Sequence, residues 1–110
     1  MSEKKIGQID DLMNSALLNK EQGNLLEAIH FFDQILKIDI NNKKALNNIG
    51  NVFKEMGNYE KAVKFYEKSV LVDDSYQIAK INLAIIYHEL GNLKKAEEIY
   101  KKIIILDKLN

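Results

Sequence analysis

Apolar residues fall three and four apart through most of this chain, in six blocks separated by short polar breaks. Near the middle, Leu46, Ile49, Phe53 and Met56 form one such stripe, and Tyr59, Ala62, Val63, Tyr66 and Val70 form the next. That spacing puts the apolar residues on one side of an α-helix. Leu83, Tyr87 and Leu90, then Leu93, Ala96, Tyr100, Ile103 and Ile104, repeat the pair. Leu12 and Ala16, then Leu25, Ala28, Ile29, Phe32, Ile35 and Leu36, do so more loosely. Gly23, Gly57 and Gly91 stand at the break inside each pair, where a residue able to take positive φ ends a helix. The pattern predicts six helices of about 13 to 15 residues, arranged as three antiparallel pairs.

The three pairs are copies of one another. The glycines are 34 residues apart, and each is followed by an asparagine (Asn24, Asn58, Asn92). An alanine stands five residues after each glycine (Ala28, Ala62, Ala96), an aromatic four later (Phe32, Tyr66, Tyr100), then an aspartate (Asp39, Asp73, Asp107). A period of this length is the signature of a helix–turn–helix array. The expected fold is all-α, with units 9–42, 43–76 and 77–110 after a polar lead over 1–8. Ala28, Ala62 and Ala96 mark close helix contacts, where a larger side chain costs about 1–3 kcal/mol. Ala16, Gly50 and Ala84 form a matching small column on the first helices. The aromatics are expected to fill the space between one pair and the next.

These residues resemble the tetratricopeptide repeat, whose pattern is W-x2-L-G-x2-Y, then A-x3-F, then P. The middle unit answers it with Leu46, Ile49, Gly50, Phe53, Ala62 and Tyr66, and the third with Lys80, Leu83, Ala84, Tyr87, Ala96 and Tyr100. The first unit is weaker, since Ser15 and Asn19 replace two apolar positions. Ile40, Asp74 and Lys108 stand where the family has proline, so less rigid loops are expected. The resemblance implies a right-handed superhelical solenoid whose first helices line a concave groove for an extended peptide or a partner helix.

On that reading Asn14, Asn48 and Asn82 lie in the groove, one per repeat. They are similar to the asparagine ladder with which one repeat array holds a peptide backbone. An amide side chain donates and accepts at once, so it pairs with a peptide unit whatever the side chain. Around them the predicted groove carries Met13 and Leu17 from the first unit, Lys44, Asn47 and Asn51 from the second, and Ile78, Ile81 and Ile85 from the third. Apolar ends thus flank a polar middle, and grouped exposed apolar side chains mark a binding surface. A subclass of the family grips the C-terminal carboxylate of chaperones with lysine, asparagine and arginine. Those positions fall here on Met13, Leu17, Asn48, Ile78 and Asn82. Only Asn48 matches, and no cation is present, so that mode of docking is not expected.

Composition narrows the alternatives. Sixteen acidic residues balance 16 basic ones, which argues against a footprint for nucleic acid or an anionic membrane. Every basic residue is lysine, and the absence of arginine weakens readings built on bidentate anion recognition. No cysteine is present, so disulfides and thiolate metal sites are excluded. The compartment expected is cytoplasmic. No apolar run approaches the roughly 20 residues of a membrane-spanning helix. His30 and His88 lie in different units, a poor basis for a metal site. Glu21, Glu55 and Glu89 repeat near helix ends and read as solvated charge. No phosphate-binding loop or catalytic pair is recognisable, so neither a cofactor nor an enzyme activity is expected.

The sequence ends Lys102-Ile-Ile-Ile-Leu-Asp-Lys-Leu-Asn110. Solenoids usually close with a polar helix over the last apolar face. Here part of Tyr100, Ile103, Ile104 and Leu106 is expected to face water, which predicts a homo-oligomer formed through this end or a place within a longer array.

Overall fold

The computed structural model describes residues 1–109, apart from the side chains of Leu106 and Leu109, so the expected exposure of Leu106 lies outside what is described. Six helices follow in order: α1 (Glu3–Glu21), α2 (Leu25–Ile38), α3 (Lys43–Glu55), α4 (Tyr59–Val72), α5 (Gln77–Glu89) and α6 (Leu93–Leu109). Four have the expected length. The 19 residues of α1 and the 17 of α6 exceed it. The polar lead is helical because Glu3, Lys4 and Lys5 favour helix and the Ser2 hydroxyl caps it, accepting from the Lys5 amide at 3.2 Å.

The Gly-Asn pairs turn each first helix into its second. Gly23, Gly57 and Gly91 take φ of 82°, 80° and 82°. Each glycine N–H donates to a carbonyl three residues back, and each following asparagine N–H to one five back. This arrangement satisfies the last carbonyls of a helix and needs the left-handed conformation that glycine supplies. The Asn58 and Asn92 side chains then accept from Lys61 and Lys95 N–H, starting the next helix.

Helices packed next to one another in sequence build the stack. α2 lies against α3 and α4 against α5, which join one pair to the next. One cluster gathers Ala28, Phe32 and Ile35 of α2 with Ala45, Ile49 and Val52 of α3. A second joins Ala62 and Tyr66 of α4 to Leu83, Ile86 and Tyr87 of α5. Phe32 and Tyr66 therefore fill the gaps between pairs, as expected. Tyr100 does not: with no pair packed beyond it, 37% of it is exposed. Met56 and Leu90, counted in the apolar stripes, are also exposed, because they cap α3 and α5 where the chain leaves the core for the turn.

The small column has its reason in an aromatic ring. A Cβ built on Gly50 would sit 2.6 Å from two ring carbons of Tyr66. Where proline is missing, aspartates hold the loops. The Asp39 carboxylate accepts from the Asn41 N–H and the Asn42 amide. Asp73 accepts from the Ser75 N–H at 3.0 Å, the Ser75 hydroxyl at 2.6 Å and the Lys43 ammonium. The hydrogen bond from Lys43, followed by those from Ser75, holds the Asp73 carboxyl down from 3.8 to about 2.

Three outcomes follow. Gly50→Ala lowers stability to chemical denaturation by about 1–3 kcal/mol because the ring must move. Gly7→Ala, at an open helical position, raises it by about 0.5–1 kcal/mol. Asp73 ionises more readily folded than unfolded, so its contribution is complete above the ordinary 3.8 and disappears as pH falls toward about 2. Thermal melts of Asp73→Asn across that window show a flatter acid limb than those of the native chain.

Candidate functional site

Polar side chains tie each first helix to the next. Lys20 Nζ on α1 lies 3.2 Å from Glu55 Oε1 on α3, and Lys54 Nζ lies 3.8 Å from Glu89 Oε1 on α5. These are the same contact one repeat apart. Glu55 and Glu89, read from sequence as solvated charge, are thus ion-paired at the surface. Such pairs contribute about 0–1 kcal/mol each. Their effect is to align α1, α3 and α5 as one wall and to occupy the cations of that column.

The middle of the wall is an asparagine network. Asn82 Nδ2 on α5 donates to Asn47 Oδ1 at 3.0 Å and to Asn51 Oδ1 at 3.4 Å, both on α3. The Tyr66 hydroxyl, reaching past Gly50 from α4, donates to Asn51 Oδ1 at 2.6 Å. Burial, reinforced by the Glu89 and Glu55 carboxylates, raises the Tyr66 phenol above its usual value, which keeps it a donor. Tyr87 is held the same way: burial first, then its bond to Glu67, pushes its phenol up to about 12.

The asparagine column has three different settings. Asn14 is exposed. Asn48 is half-buried and donates to the Lys44 carbonyl of its own helix at 2.9 Å. Asn82 is half-buried and committed to Asn47 and Asn51. Asn47 is only 3% exposed, so it anchors Asn82 from beneath instead of lying open. Asn51 stays half-buried. Among the apolar candidates, Leu17, Ile78 and Ile81 are exposed and Ile85 is half-buried. Met13 packs partly against the first core cluster. Lys44 is exposed.

The sequence reading missed the lysine–glutamate bridges, although lysine directly precedes glutamate at 20–21 and 54–55. It also missed an apolar depression lined by Leu36, Ile40, Leu46, Phe65, Leu71 and Val72. The available signal was Ile40 and Leu71, which stand where neighbouring units carry Asp74 and Lys37. No helix among the described residues is long and apolar enough to cross a membrane.

Three stacked hairpins with this turn chemistry agree with what sequence comparison finds. A tetratricopeptide repeat model matches residues 8–73 and again 43–104. The chain belongs to the tetratricopeptide repeat family. None of the curated proteins matches it as a relative. Among solved structures, the tetratricopeptide repeat chain resembles MamA with a TM-score of 0.85 at 19% identity, over 91% of this chain and 58% of MamA. It resembles the second repeat domain of Spaghetti (RPAP3), solved with the HSP90 peptide SRMEEVD, with a TM-score of 0.83 at 20% identity, over 96% of this chain and 99% of that one. For the Sgt2 domain from Aspergillus fumigatus the TM-score is 0.80 at 26% identity, over 86% of this chain and 62% of that one. The chain thus spans about three fifths of the MamA and Sgt2 chains, and the likeness is one of fold. Tetratricopeptide repeats are protein-interaction modules, typically without catalysis.

Asn82→Ala leaves the nearly buried Asn47 Oδ1 without its donor and lowers stability by about 1–3 kcal/mol. Asn14→Ala changes it by less than about 0.5 kcal/mol. Equal urea midpoints for the two variants would show that the network carries no structural weight.

Proposed function

We propose that this chain is a non-enzymatic adaptor that takes a peptide or partner helix along the wall of α1, α3 and α5. The supporting observation is apolar surface at both ends of that wall. Ile78 is 56% exposed and Ile81 39%, beside half-buried Ile85 on α5, with Leu17 41% exposed on α1. Between them lie the asparagines and Lys44. Apolar side chains grouped in this way favour a partner that buries them, and asparagine side chains between them suit a peptide backbone.

The HSP90 peptide solved with Spaghetti, SRMEEVD, is acidic toward its C-terminus. A similar ligand is disfavoured here, because the clamp positions Met13, Leu17, Asn48, Ile78 and Asn82 hold no cation, and Lys20 and Lys54 are paired with Glu55 and Glu89. The ligand preferred is therefore amphipathic, with apolar residues set against Ile78, Ile81 and Leu17. Affinity near micromolar, typical of linear motifs, corresponds to about 8 kcal/mol.

A second reading, self-assembly through α6, is favoured by the exposure of Leu93, Ile104 and Ile105. It involves a different surface and is compatible with the first.

Selection of binders from a displayed peptide library tests the adaptor reading. Peptides with spaced apolar residues are expected, and Ile81→Glu, a change at an exposed site, weakens them at least tenfold, as about 1.4 kcal/mol of lost contact implies. Binding that survives both Ile81→Glu and Asn48→Ala unchanged would reject this wall as the site.

A further inference from the structure

The two junctions of the stack differ at one pair of positions. Between the second and third units, Lys80 Nζ lies 3.1 Å from Asp74 Oδ1. The counterparts one repeat earlier, Leu46 and Ile40, are both apolar. Leu46 is 5% exposed and Ile40 76%. Where the charge pair is replaced, the first junction holds the apolar depression noted above, of about 750 Å³, within the roughly 300–1,000 Å³ of sites that take ligands. Leu36, Leu46 and Phe65, buried or half-buried, form its floor, and exposed Ile40, Leu71 and Val72 form its rim. Every lining residue belongs to the first two units, whose junction is complete, so this opening is not an end of the stack.

We infer that the depression is a second docking site, for a peptide segment of a partner protein that carries an apolar side chain next to a carboxylate. It shares no residue with the wall of α1, α3 and α5 and is independent of the reading of that wall.

Three observations select this occupant. First, the fold does not need Ile40 and Leu71 to be apolar. Neighbouring units carry Asp74 and Lys37 at those positions, and Leu71 is 88% exposed. An apolar side chain entering the depression buries both against the floor. Second, Lys68 belongs to the lining and no carboxylate does. Lys43 and Lys80 are taken up by Asp73 and Asp74. The Lys68 ammonium instead lies 5.0 Å from the centre of the Phe65 ring and pairs with no carboxylate among the described residues. A carboxylate on the ligand thus meets a cation beside the apolar floor. Third, Asn41 sets an amide on the rim. Its backbone N–H donates to Asp39, while its exposed side chain has no hydrogen-bond partner among the described residues. That amide donates and accepts as a peptide unit requires, and an acyl chain has nothing to pair with it, which favours a peptide over a fatty acid.

Selection from a displayed library of random peptides tests this, with the Ile81→Glu chain as bait so that the wall is disabled. The expected binders carry an aliphatic or aromatic residue beside Asp or Glu, and on their addition amide shifts in nuclear magnetic resonance spectra centre on residues 36–46 and 65–72. Ile40→Asp with Leu46→Lys installs the ion pair of the second junction and weakens the selected peptides at least about tenfold. Leu71→Ser, at an exposed position, does the same and serves if circular dichroism shows the double variant unfolded. Lys68→Glu weakens them about tenfold, and a peptide with its acid replaced by lysine regains the loss. Binders indifferent to Leu71→Ser and Lys68→Glu overturn the proposal. A depression that takes oleate but no peptide overturns it in favour of a lipid site. A library that yields binders to the native chain and none to the Ile81→Glu bait overturns it too, and leaves the wall as the place of binding.

Discussion

Each hydrophobic cluster in this chain combines both helices of one hairpin with a helix of its neighbour. A second helix buries one side against its partner and offers the other, with Phe32 or Tyr66 at its centre, to the first helix of the next unit. The two hydrophobic clusters span these junctions. Stability is therefore distributed along the stack as contacts between neighbours. The long dimension of 41 Å against a short one of 19 Å follows from the same constraint. The shared wall results from the same contact, repeated from one unit to the next.

Polar groups in the wall contribute register more than energy. Lys20–Glu55 and Lys54–Glu89 sit at the surface, where each contributes little. The Asn82–Asn47–Asn51–Tyr66 network lies deeper, and its hydrogen bonds fix how α5 sits on α3. Gly50 makes that network possible, because only without a Cβ does the Tyr66 ring pass closely enough for its hydroxyl to reach Asn51.

The fold was legible in the sequence because a repeat is read three times. Columns such as Gly23, Gly57 and Gly91 announce turns by a local rule, and the structure reproduces each with the same φ. Boundaries were less legible, since nothing in a periodic pattern shows that Ser2 caps a helix within the polar lead. The wall was legible only by column. Register placed Asn14, Asn48 and Asn82 at one helical position, but what an amide does there depends on its neighbours across the gap. Asn82 turns to Asn47 because α5 lies beside α3, whereas Asn48 satisfies itself on Lys44. The ion pairs escaped notice for the same reason: they join residues in different repeats, while a single repeat shows only a lysine beside a glutamate.

The three glycine turns have a geometric consequence. Because their backbone angles agree within a few degrees, each unit folds back on itself in the same way, and the middle repeat is a module like its neighbours. Duplicating residues 43–76 in tandem would extend the wall by one more rung without disturbing its neighbours. Adding half that length would leave a lone helix facing the wrong way. Evolution or a designer can lengthen such a protein only in whole steps.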